Sequence, residues 1–75
     1  MRQLLVRASD CSGTTLLRIA KRAGFACDGG KKHWKITTST GVFVTTIPRH
    51  EQLKRETVKG VVERMNEFGA QIVVR

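Results

Sequence analysis

Two histidines stand in this chain of 75 residues, and they are the side chains best suited to moving a proton near neutral pH. His33 follows Lys31 and Lys32, and Lys35 comes two positions later. His50 follows Pro48 and Arg49. An imidazole among lysines suits phosphate chemistry. The ring can take a proton from a 2′-hydroxyl and return it to a leaving 5′-oxygen. The ammonium groups can hold the phosphate and stabilise the charge that builds on it. By residue type His33 could serve as general base, or as the single acid/base, in such a reaction. Lys31, Lys32, Lys35, Arg49 and His50 are the candidate RNA contacts. The plain alternative is that a lone histidine on a strand is a surface residue with no role. His50, at a strand exit, reads as structural, or as a contact to phosphate or to a partner protein.

Other chemistry finds little support. Cys11 and Cys27 are separated by sixteen positions, with no CxxC and no Cys–His cluster, so neither a metal site nor a cofactor is expected. No secretory signal and no membrane-length apolar run is visible, which points to a cytoplasmic chain with reduced thiols and no membrane partner. Trp34 could stack on a base, but its spacing with Ile36 reads as core packing. Gly29-Gly30 could form an anion-binding nest or a simple tight turn.

These residues need elements to hold them. Thr14 to Ala23 carries Leu16, Ile19, Ala20 and Ala23 at helical spacing, with Ser12 or Thr14 as cap and Gly24 as the terminating glycine. Its Arg18, Lys21 and Arg22 fall on other faces, either solvated or gripping an RNA backbone. Phe25 to Asp28 is a short strand. His33 to Thr38 and Val42 to Ile47 alternate around Gly41, a hairpin signal. A two-residue loop of Thr40 and Gly41 puts Trp34, Ile36 and Thr38 on one face with Ile47, Thr45 and Phe43. His33, Lys35 and Thr37 then share the other face with Val42, Val44 and Thr46. A three-residue loop pairs Trp34's side with Thr46 and Val44 instead. Every register puts His33 and Trp34 on opposite faces.

Pro48 ends the strand. A second helix is expected from about Arg55 to Phe68, with Val58, Val61, Val62, Met65 and Phe68 as its apolar stripe. Gly60 within it suggests close packing against another element. QIVVR, residues 71–75, reads as a last short strand. MRQLLVRA, residues 1–8, is either strand or helical turn. The two terminal runs could pair with each other, with a second copy in a homodimer, or with a partner protein. The expected architecture is one α+β domain over residues 1–75. Its core spans about 14–69, with extensions at 1–13 and 70–75. Two helices cover one face of a three-stranded antiparallel sheet.

Charge supplies the broadest constraint. Fourteen Lys and Arg oppose six Asp and Glu, giving a net charge of +8. Four of the acids lie between Glu51 and Glu67, so the first fifty residues are the more basic part. Such a field favours polyanions but confers no sequence preference.

In order, the chain reads LLRIAKRAGF, GKKHWKI, VTTIPRH and LKRETVKGVVERM. Taken together, these segments resemble the HicA toxins of toxin–antitoxin systems, over about Thr15 to Phe68. Ala23-Gly24-Phe25, Gly30-Lys31-Lys32-His33 and Pro48-Arg49-His50 carry the likeness. One departure is Lys31, where the family usually has serine after the glycine. The resemblance implies a double-stranded-RNA-binding-like fold, ribosome-independent mRNA cleavage with His33 catalytic, and a HicB-like antitoxin that covers the site. The competing readings are a non-catalytic double-stranded-RNA-binding module and a small subunit whose basic face docks an acidic protein.

Overall fold

The computed structural model describes residues 3–75; Met1 and Arg2, the start of the amino-terminal apolar run, lie outside the described residues. The elements run β1 (Leu4–Val6), α1 (Gly13–Arg22), β2 (Ala26–Gly29), β3 (His33–Thr37), β4 (Phe43–Pro48), α2 (Arg55–Glu67) and β5 (Ile72–Val74). Strands β2, β3 and β4 form an antiparallel sheet in that order, and β1 pairs with β5 in parallel. This is an α+β arrangement with both helices packed on one side of the three-stranded sheet.

The helix α1 forms where the apolar spacing and caps agree. Ser12 stands at its N-cap in extended conformation, and its side chain accepts a hydrogen bond from the Thr15 amide at 3.1 Å. Gly24 ends it with φ +95°, a conformation that β-carbon-bearing residues adopt at a cost. Leu16 and Ala20 are fully buried. Helix α2 buries Val58, Val61, Val62 and Met65 as expected. Phe68 does not join them. It sits past the last helical turn, partly exposed, with the Arg64 guanidinium 5.6 Å from its ring centre. Gly60 is exposed, and a Cβ there would meet nothing within 4 Å. The close packing expected of it is absent.

The terminal runs pair with each other, Leu4 with Ile72 through Val6 with Val74. Their ladder includes Leu4 N–H to the Gln71 carbonyl at 2.9 Å and Arg75 N–H to the Val6 carbonyl at 2.9 Å. The amide of Asn66 closes around β5, donating to the Ile72 carbonyl and accepting from the Ile72 amide, both at 3.0 Å. Val6, Ala8, Cys11 and Ile72 belong to the same buried cluster as Leu16, Ile36, Val44 and Met65. The ends of the chain therefore help build the core.

The β3–β4 hairpin holds two registers. Near the turn, Thr38 N–H donates to the Val42 carbonyl at 2.8 Å and Thr37 pairs with Phe43. Three residues, Ser39 to Gly41, bridge the strands, and Gly41 takes φ +91°. From Ile36 onward the pairs are Ile36–Thr45, Lys35–Thr46, Trp34–Ile47 and His33–Pro48. That is the spacing of a two-residue loop. The switch between Ile36 and Thr37 is a β-bulge that leaves Val44 as the extra residue. Val44 turns into the core, 0% exposed, and its carbonyl accepts from the Arg64 Nε at 3.2 Å. Phe43, pairing Thr37, turns to the other face and is 49% exposed. Both findings correct the sorting expected from a two-residue loop, while the three-residue alternative had Val44 on the Trp34 side.

Candidate functional site

Partners across an antiparallel ladder share a face. The registers therefore sort the sheet. Cys27, Trp34, Ile36, Thr45 and Ile47 look toward the helices. Ala26 and Asp28 from β2, His33, Lys35 and Thr37 from β3, and Phe43, Thr46 and Pro48 from β4 look away. His33 and Lys35 are exposed, as the alternation predicts. Lys35 lies between Asp28 on one side and Thr46 on the other.

Lys31 and Lys32 are the two central residues of the turn that joins β2 to β3. Gly30 N–H donates to the His33 carbonyl at 2.9 Å and closes that turn. A Cβ at Gly30 would come within 2.7 Å of the same carbonyl oxygen. The Gly-x-x-His spacing thus has a local cause. Glycine permits the close approach, two exposed lysines occupy the tip, and the histidine is the first residue of the returning strand. Gly29 and Gly30 lack positive φ, so no anion nest forms and the tight-turn reading holds. Arg49 N–H donates to the Lys32 carbonyl at 3.0 Å, tying this turn to the end of β4.

Arg49 and His50 go elsewhere. The Arg49 guanidinium lies 4.5 Å from the centre of the Trp34 ring, on the helix side of the sheet. Ser12, Thr14, Trp34, Arg49, His50 and Glu51 line a cavity of about 310 Å³ beside the start of α1. The Gly13 amide donates to the His50 carbonyl at 2.9 Å and fixes this loop against the helix. The six candidate residues therefore divide. His33, Lys31, Lys32 and Lys35 belong to the uncovered sheet face and its turn, while Arg49 and His50 belong to the Trp34 cavity. Trp34 is half-buried and packs against the core, as its parity with Ile36 predicts. Phe43 escaped the sequence reading. The one signal for it is the unbroken apolar run Val42-Phe43-Val44 in an otherwise alternating strand.

The titration of the thiols follows burial. Desolvation raises the Cys11 pKa, with the Asp10 carboxylate adding to it. Burial also raises that of Cys27, against the lowering effect of Lys21 and with Asp28. Both cysteines are free. Among the described residues no three His, Cys, Asp or Glu side chains gather as a metal site would need. No described helix is long and apolar enough to cross a membrane. No protein-family profile, curated protein or solved structure matches the chain.

Proposed function

We propose that this chain is a metal-independent endoribonuclease of the HicA toxin kind, built on a double-stranded-RNA-binding-like fold. It works in the cytoplasm on mRNA, and a HicB-like antitoxin neutralises it. One observation carries the reading. His33 stands exposed on the sheet face that neither helix covers, next to a turn whose two central residues are lysines.

His33 takes the proton of a ribose 2′-hydroxyl as its oxygen attacks the adjacent phosphorus. The 2′-O–P bond forms and the P–5′-O bond breaks. The imidazolium returns its proton to the departing 5′-oxygen, leaving a 2′,3′-cyclic phosphate and a 5′-hydroxyl. Lys31, Lys32 and Lys35 hold the phosphate and offset the charge of the five-coordinate phosphorus. The antitoxin, or a second copy of the chain, would add a strand to the outer edges of the β1–β5 pair, where Leu5 is exposed.

A second reading, RNA binding without cleavage, draws on the position of His50. It lines the Trp34 cavity, so the pair of imidazoles used by a two-group acid–base mechanism is not assembled around His33. Incubating the protein with mRNA in EDTA, beside His33→Ala, separates the two. Cleavage by the wild type alone, with cyclic-phosphate ends, is expected. Equal degradation by both proteins overturns the role of His33. No cleavage, with binding that falls steeply in salt, leaves the second reading.

A further inference from the structure

We infer that the uncovered sheet face is a track for single-stranded RNA, on which Phe43 is a stacking platform for an unpaired base near the phosphate held at His33. This inference rests on the proposed function for its ligand class and goes beyond it in naming a base-binding subsite.

The β-bulge is the first reason. The register that pairs Trp34 with Ile47, carried to the turn without a bulge, puts Phe43 into the core with Ile47 and leaves Val44 outside. The extra residue reverses both, so that a phenyl ring stands 49% exposed opposite Thr37 while Val44 is fully buried. Bulges commonly re-aim a side chain beside a functional site. An outward phenylalanine gains nothing for the core, since Val44 already fills that place.

The second reason is what shares the face. Along β3 the same side carries His33, Lys35 and Thr37, and Phe43 lies across from Thr37. Four strand steps separate the His33 and Thr37 positions, about 13 Å along the strand. Over that span the order is imidazole, ammonium, hydroxyl, aromatic ring, with Lys31 and Lys32 beyond the histidine at the turn. A positive line ending on an aromatic ring matches the alternation of phosphate and base in an unpaired strand. A duplex keeps its bases stacked inside and offers this ring no base face, so the inference selects single strands, loops and bulges.

The test measures binding, so that it stands apart from cleavage. A labelled single-stranded oligoribonucleotide is titrated with His33→Ala protein, and with the same protein carrying Phe43→Ala, Phe43→Leu or Phe43→Tyr. Loss of a base stack predicts affinity weaker by roughly five- to a hundredfold in Phe43→Ala. Phe43→Leu should fall with it, and Phe43→Tyr should retain binding. A duplex of the same sequence should bind the variants equally. Replacing single nucleotides with abasic ones should remove the effect of Phe43→Ala at one position only. Unchanged single-strand affinity in Phe43→Ala overturns the platform, as does an equal loss on duplex. Full rescue by leucine would reassign Phe43 to an apolar contact, such as one with a protein partner, and also overturns it. Cleavage by wild type with an indifferent Phe43 leaves the proposed function standing without this subsite. A Phe43-dependent single-strand affinity without any cleavage does the reverse.

Discussion

Gly13 and Gly60 both stand in helices, the first residue of α1 and the interior of α2, yet their surroundings give them opposite roles. A Cβ on Gly13 would fall onto the Pro48 carbonyl oxygen and reach within 3.1 Å of the Trp34 ring. That contact is with backbone, which cannot swing aside. Gly13→Ala should therefore destabilise by about 1–3 kcal/mol through forced displacement of β4 and the Trp34 ring. Gly60 has open space and lies in the α2 interior. Gly60→Ala should stabilise by about 0.5–1 kcal/mol, because alanine loses less backbone freedom on folding. Urea titrations of the two variants read both signs. The cysteines give a pH prediction at the same scale. Their folded pKa values are raised by burial, so the neutral thiol is the form that the fold favours. That share of stability is complete below the ordinary thiol pKa and is lost as pH rises through the raised values. Urea midpoints should fall as pH rises past the ordinary thiol range, and the slope should be shallower in Cys11→Ala, whatever that variant's stability at neutral pH.

Asn66 acts on an element rather than on itself. The amino and carbonyl ends of its side-chain amide both engage Ile72, so one side chain substitutes for a neighbouring strand along part of β5. Asn66→Ala should cost about 1–3 kcal/mol and should speed amide exchange at Ile72 above all other amides of the β1–β5 ladder. Elements also mark what could be read in advance. Helix α1 was legible because Leu16, Ile19 and Ala20 agree with the Ser12 cap and with Gly24. The opposition of His33 and Trp34 was legible because side chains alternate in any register. The bulge was not. Two- and three-residue loops each fit Thr38 to Val42 by local pattern, and the hairpin uses both spacings, one on each side of Val44. Choosing between them depends on whether Val44 or Phe43 fits beneath α2, which is a packing question. The partner of β5 was open for the same reason, since two short apolar runs carry no direction. Gly60 misled because a helical glycine signals close approach only when a neighbour is present.

Across the whole molecule, with its net charge of +8, two groups of basic side chains stand on opposite sides of the sheet, and only one of them adjoins the proposed site. Arg18, Lys21 and Arg22 are exposed on α1, on the far side of the core from His33. Lys31, Lys32 and Lys35 surround His33 on the open sheet face and its turn. A nonspecific polyanion attraction would use both surfaces. A track on the sheet would release counterions mainly from the second set. For single strands, each neutralised phosphate contributes about −0.7 to the slope of log affinity against log salt. Lys31→Ala and Lys35→Ala should therefore each flatten that slope by close to one such contact. Arg18→Ala, Lys21→Ala and Arg22→Ala should lower affinity slightly, through net charge, while leaving the slope nearly unchanged. Titrations of one oligoribonucleotide at four or five salt concentrations decide the matter. If the α1 variants flatten the slope and the turn variants do not, the RNA lies on the helix side. His33 would then be out of its reach, since the sheet itself stands between them.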